Sequence, residues 1–129
     1  MAQTTPEEFF AEVGEGLTVF RHVDDLVRRV APDVTVRVSK SQVAFRRRRG
    51  FAFLWLPGQY LAKPAADIVL SIALRRRLRS DRFKEIVHPA AGTWMHHLEI
   101  HSVRDVDDEV AGWLREAAGD AAAPGSARG

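Results

Sequence analysis

The chain has 129 residues, no cysteine and a formal net charge of +2. That length suits one domain able to bury roughly two-thirds of the surface its unfolded chain exposes, without a metal or disulfide staple. The missing thiols exclude disulfides, thiolate metal sites and cysteine nucleophiles, and fit a reducing compartment. The longest apolar run, Phe51 to Leu56, is far short of a membrane span, and MAQTTPEEFF lacks the basic and apolar regions of a secretory signal. A cytoplasmic protein without membrane attachment is expected. The small net charge conceals a division: residues 34–84 hold 13 Lys/Arg against two Asp, net +11, and the remainder holds six against 15, net −9. Such asymmetry bears on partners and encounter rates, not on fold.

In chain order, Thr5-Pro6-Glu7-Glu8 signals a helix start, with Thr5 as N-cap, Pro6 at the first helical position and two carboxylates facing the positive end of the macrodipole. This helix is expected to reach about Val13, where Gly14 and Gly16 interrupt it. Val19, Phe20, Val23, Leu26, Val27 and Val30 then recur at three- and four-residue steps, one apolar stripe on a second helix ending before Pro32. Val34, Val36 and Val38 alternate with Thr35 and Arg37 as a two-faced strand.

From Lys40 to Leu56, four consecutive arginines and a glycine separate two β-forming runs, the pattern of a hairpin. A three-residue loop with positive φ at Gly50 is favoured over a two-residue turn needing positive φ at Arg49. That register puts Val43, Phe45, Arg47, Phe51, Phe53 and Trp55 on one face and Ala44, Arg46, Arg48, Ala52, Leu54 and Leu56 on the other. A loop one residue longer or shorter exchanges the faces and sets the aromatics beside Arg46 and Arg48.

Pro57-Gly58 and Lys63-Pro64 mark breaks. Asp67 to Leu74 reads as a nearly buried strand. Arg75 to Arg82 is a basic connection, Phe83 to Val87 a short edge strand, and His88 to Gly92 a turn. Thr93 to His101 alternates as the last strand, with Trp94, His96, Leu98 and Ile100 on its apolar face and Met95, His97, Glu99 and His101 on the other. Asp105 is the expected cap of a final helix whose buried stripe is Val106, Val110, Trp113, Leu114 and Ala117.

These elements predict an α+β two-layer sandwich: an antiparallel five- or six-stranded sheet with N-terminal and C-terminal helices packed on one face. Residues 1–16 are expected as an N-terminal helical extension, 17–118 as one α+β domain and 119–129 as a disordered tail. The other sheet face, expected to carry Arg46, Arg48, His97 and His101 with Leu54, Leu56 and Met95, is the natural place for a partner.

The stretches SKSQVAFRRRRGFAFLWLPGQYL, IVLSIAL, VHP…GTWMHHLEI and DVDDEVAGWLREA resemble, over about Leu17 to Ala118, a bacterial family catalogued as domain of unknown function 5655. The resemblance implies a small α+β domain found alone or appended to other modules, some of them nuclease-like, with no established activity. The family's pattern corresponds here to Lys40, Phe45, Arg47, Phe51, Trp94, His96 and the acidic start of the final helix.

Three binding readings follow from the residues. Lys40, Arg46, Arg48 and Arg49 with Arg75, Arg76 and Arg77 form a basic surface for nucleic acid or an anionic, phosphorylated small molecule, with aromatic side chains on which bases stack. Alternatively, arginines only solubilise a sheet edge, and the open face pairs with a second copy or a partner domain. A third reading places an anionic ligand in a pocket lined by Arg47, Trp94 and His96, against which stand an Arg47 reaching water at the hairpin tip and a neutral His96 bonded to a backbone carbonyl.

No catalytic residue is assigned: there is no Gly-x-Ser-x-Gly elbow, phosphate-cradling loop or HExxH, and the carboxylates of residues 105–109 serve as helix caps. No cofactor and no metal is expected, because His97 and His101 stand roughly 13 Å apart along their strand and His96 and His97 point oppositely.

Overall fold

The computed structural model describes residues 4–59 and 66–123. Thr5 caps α1 (Pro6–Phe9): its hydroxyl accepts from the Glu8 N–H, and the Glu8 carboxylate accepts from the Thr5 N–H. This reciprocal box satisfies two donors that a helix start leaves orphaned. The helix stops after one turn, at Phe9 and not near Val13, and α2 (Gly16–Val30) follows. Val19, Phe20, Val23 and Val27 form its buried stripe, while Arg28–Asp24 and Arg29–Asp25 pair one turn apart on its outer face. Phe10, expected in an extension outside the domain, is buried in the same core, its ring 6.0 Å from that of Phe20.

The strands are β1 (Thr35–Val38), β2 (Val43–Arg46), β3 (Gly50–Trp55), β4 (Ile68–Leu74), β5 (Glu85–Ala90) and β6 (Thr93–Ile100), followed by α3 (Asp108–Ala122). They form one antiparallel sheet in the order β1-β2-β3-β4-β6-β5, and the chain is an α+β fold. The rows Val43–Leu54–Leu70–Leu98 and Phe45–Ala52–Ile72–His96 run across one face, all buried. Phe45 stacks on Phe20 of α2 at 5.8 Å, and α3 packs against α2, β3 and β4 with Val110, Trp113, Leu114 and Ala117 inward. Each fully buried Leu, Ile or Phe of this layer contributes about 1.5–3 kcal/mol.

The central hairpin departs from its expected register. A three-residue loop, Arg47–Arg49, joins the strands, but the pairs are Val43↔Leu54, Phe45↔Ala52 and Arg46↔Gly50, with an irregularity that leaves Phe51 unpaired. The extra residue switches faces as a bulge does. Leu54 therefore turns inward, while Phe53 and Trp55 join Ala44 and Arg46 on the opposite face. Phe51 is fully buried in the core.

Gly50 is not one of the residues with positive φ; among the described residues those are Gly14 and Gly92. Its constraint is steric, since a methyl there would come within 2.7 Å of Phe53 Cζ.

Three boundaries also differ. β5 takes in His88 and Pro89, expected in the turn, and Gly92 (φ 76) completes the reversal; an edge strand tolerates the proline's missing donor. α3 is capped by Asp107, whose carboxylate accepts from Val110 N–H at 3.2 Å, while Asp105 accepts from the N–H groups of His101 and Ser102. Residues 119–122, expected in a disordered tail, are the last turn of α3. The expected break at Lys63-Pro64 and positions 124–129 lie outside the described residues.

Candidate binding face of the sheet

Alternation along the hairpin divides its arginines. Arg47 turns to the helical layer, where Nε and Nη2 bond the Asp33 carboxylate at 3.2 and 3.0 Å and Nη1 donates to the Ala118 carbonyl at 3.1 Å. The guanidinium beside Asp33 holds that carboxyl below its ordinary value. Arg49 Nη2 donates to the Asp120 and Ala123 carbonyls at 3.4 and 3.2 Å. Both cations thus sit at the negative end of α3, Arg49 meeting carbonyls that the helix end leaves without intrahelical partners and Arg47 a carbonyl just before them. They explain how the hairpin tip is pinned to the last helix.

Arg46 and Arg48 are different. Arg46 Nη1 would lie 3.4 Å from a methyl on Gly50, the same methyl that the Phe53 ring would crowd. The cation and the ring therefore sit side by side over Gly50, on the face away from the helices. Arg48 is exposed, and Arg37, whose register partner Ala44 pairs with Phe53, shares this face. Lys40 is exposed at the preceding turn. Among the described residues, the side chains of Arg37, Lys40, Arg46 and Arg48 have no ion pair or hydrogen bond.

The second basic run does not extend that surface. The connection from β4 to β5 crosses the end of β6 along α3, whose acidic outer positions meet it. Arg76 makes two bonds to Glu116 at 2.7 and 3.0 Å. Arg82 lies over Trp113 at 5.7 Å, pairs with Asp107 and Glu109 at 3.0 and 2.9 Å, and donates to the Asp105 carbonyl. The Arg75 N–H donates to Asp120. Arg77 is exposed on the same connection. Glu116 is held below its usual value by the Arg76 hydrogen bond; at Asp107 burial pushes upward, but the Arg82 guanidinium and the Val110 N–H prevail and lower it. Much of the charge division seen in the sequence is thus resolved within the molecule, and Arg49 of the first run and Arg75 of the second line one cavity together with Asp120.

The structure does not bring Arg47, Trp94 and His96 together around a ligand. Arg47 leads off β2 and the other two lie on β6, three strands away, a spacing of about 14 Å. His96 is completely buried, with Nδ1 donating to the Ile72 carbonyl at 3.1 Å and Nε2 accepting from the Leu78 N–H at 2.9 Å. Burial keeps its pKa below the ordinary histidine value. Trp94 stacks on His88, centroids 3.8 Å apart and planes 4° from parallel.

Phe53, Trp55, Ser71, Met95 and His97, with Ser41 and Gln42 at the rim, line a cavity of about 410 Å³ on the open face. The Trp55 Nε1–H donates to Ser71 Oγ at 2.8 Å, and Ser71 Oγ lies 2.6 Å from His97 Nδ1. An indole N–H can only donate, and the buried Ser71 hydroxyl has no acceptor for its own proton among the described residues other than His97 Nδ1, so satisfying that O–H assigns it as the donor to Nδ1. Burial lowers the His97 pKa and favours the neutral ring; with Nδ1 accepting from Ser71, the remaining ring proton falls to Nε2. The chain Trp55–Ser71–His97 fixes which atom this histidine presents.

Sequence reasoning placed His97 on the open face but missed Phe53, Trp55 and Ser71. The available signal was Ser71 itself, the single hydroxyl in the apolar run IVLSIAL. A lone polar group in a central strand needs a partner, and that partner stands directly across the ladder, Ser71↔His97.

No helix among the described residues is long and apolar enough to cross a membrane. Neither a curated protein nor a solved structure matches the chain. The sheet, α2, the arginine-pinned hairpin and α3 as far as Ala118 fall within residues 7–118, which match a family model, and the chain belongs to that family, described as domain of unknown function (DUF5655).

Proposed function

We propose that this domain is a non-enzymatic binding module that takes single-stranded nucleic acid on the open face of its sheet. The observation that carries the reading is the placement of the Arg46 guanidinium beside the Phe53 ring over Gly50, on the face where Trp55 and His97 line a cavity. Single strands are held by cations that follow phosphates and by aromatic faces that stack bases. Arg37 and Arg46 line a groove beside β1, and Lys40 adjoins Ser41 at the cavity rim, so the cations gather on the β1–β2 side. On the β5–β6 side, Glu85 is exposed and Glu99 is paired with Lys84 at 3.3 Å. A phosphate backbone would therefore follow the β1–β2 side, with bases directed toward the cavity.

Fluorescence anisotropy of a labelled oligothymidylate of about 15 nucleotides tests this. Three or four phosphate contacts on a single strand give a log–log salt slope of about −2 to −3. In the variant combining Arg46→Glu and Arg48→Glu, affinity is expected to fall at least tenfold at low salt and the slope to shrink by about one to two. Absence of binding at low salt, or binding indifferent to this charge reversal, would remove the reading. A dimer in sedimentation that persists at high salt and loses oligonucleotide binding as it forms would assign the face to a second copy instead.

A further inference from the structure

We infer that the cavity lined by Phe53, Trp55, Ser71, Met95 and His97 receives one unstacked base, and that His97 Nε2–H reads it by donating to an acceptor atom on the base edge. This deepens the open-face reading and rests on it. A volume of about 410 Å³ falls in the range of sites for one small ligand, about 300–1,000 Å³, and suits a single nucleotide unit better than a stack. Its walls are rings and a thioether, which accept a flat heterocycle by stacking and dispersion.

The polar content is small and ordered. Ser71 is 3% exposed, and both its hydrogen-bonding directions within the wall are used, one by the Trp55 indole and one by His97 Nδ1. His97 is left with one polar atom for a ligand, and the relay makes that atom a donor. Had Ser71 been alanine, the imidazole could present either a donor or an acceptor by exchanging tautomers; the serine and tryptophan remove that choice before a ligand arrives. Preorganised groups of this kind discriminate by leaving an unpaired buried donor when the wrong ligand enters.

The neighbouring His96 is held in the opposite tautomer, with Nδ1 donating to Ile72 and Nε2 accepting from Leu78. Its ring is packed against Phe83 at 4.9 Å on the helical side and takes no part in the site. Adjacent residues on one strand thus use the same imidazole in two ways, one to close the core and one to face a ligand.

The test compares oligothymidylate with two analogues of the same length, one in which 2,4-difluorotoluene replaces thymine and one that is abasic. Difluorotoluene keeps the shape and stacking of thymine but lacks its carbonyl acceptors. The natural protein is expected to prefer thymine over difluorotoluene by about fivefold to tenfold and to bind the abasic strand weakest. His97→Phe should lose that preference while binding the abasic strand as before, and His97→Gln, which keeps an N–H donor at similar reach, should retain part of it. Long-range ¹⁵N–¹H correlation spectra, which need no ligand, should show His97 protonated on Nε2 and His96 on Nδ1.

Equal affinity for thymine and difluorotoluene, or a His97 protonated on Nδ1, overturns the base-reading role while leaving salt-dependent strand binding standing. Failure of every strand to bind overturns both.

Discussion

Phe53→Ala combined with Trp55→Ala is expected to weaken oligothymidylate binding by about 30-fold or more while leaving the protein folded. Stacking of one base on an aromatic ring is worth about 1–3 kcal/mol by alanine substitution, and two rings removed from one face act on the same strand. Both side chains are only half-buried and lie outside the helix-facing core, so the cost to folding is smaller than for an inner-face ring. Anisotropy titrations give the binding loss, and urea denaturation of the same variant separates it from instability. The residual affinity should keep the salt slope of the natural protein, because Arg37, Lys40, Arg46 and Arg48 remain. If the double variant binds as tightly as the natural protein, the strand lies elsewhere on the surface.

The second large effect concerns stability. His96→Ala should destabilise the fold by roughly 3–5 kcal/mol, because it empties a core position and leaves the Ile72 carbonyl and the Leu78 N–H without their partners. It also releases the basic connection from the sheet, since that ring nitrogen holds Leu78 in place. The urea midpoint reports the loss.

The same residue gives the natural protein a pH dependence whose sign is fixed by burial. The pKa values of His96 and His97 are both lowered from 6.5 in the folded state, so as pH falls below that value the unfolded chain takes up protons first. Stability is therefore full above about pH 6.5 and declines as pH drops toward the folded-state values. At lower pH a second decline follows, because Asp33, Asp107 and Glu116 are held below their ordinary values by their arginines and lose those partners on protonation. His96→Gln should shrink the first decline and spare the second. A stability profile flat between neutrality and pH 5 would contradict the buried, neutral histidines.

Local periodicity carried most of the fold. The three-and-four spacing of Val19 to Val27 and the alternation of Val36 with Val38 each bury or expose a side chain within one element, so neighbours in sequence are enough to read them. The hairpin was less legible, because its faces depend on one bulged residue. Gly50 invites a left-handed turn on conformational grounds, whereas its actual constraint is the Phe53 ring lying across it. That contact exists only once the register is set, and the register error hid the two rings that now line the candidate site.

The arginine run misled for a different reason. In sequence, Arg46 to Arg49 are four equivalent cations. In the fold, Arg47 and Arg49 find carbonyls at the end of a helix more than 70 residues away, and only Arg46 and Arg48 keep their charge toward solvent. Likewise, nothing local to Arg76 or Arg82 announces Glu116 or Asp107. The overall split between a basic middle and acidic flanks was the available clue, and intramolecular pairing is one of its two meanings; the other, an external anion, is carried by the cations left over.

Backbone amide and Trp55 indole resonances followed during titration with oligothymidylate test the central claim most directly. Shifts are expected on Ala44, Arg46, Phe53, Trp55, Ser71, Met95 and His97, residues of β2, β3, β4 and β6 that share the face away from the helices. Shifts confined to α2, α3 or the connection at Arg75 to Arg82, or none at saturating oligonucleotide, would contradict it.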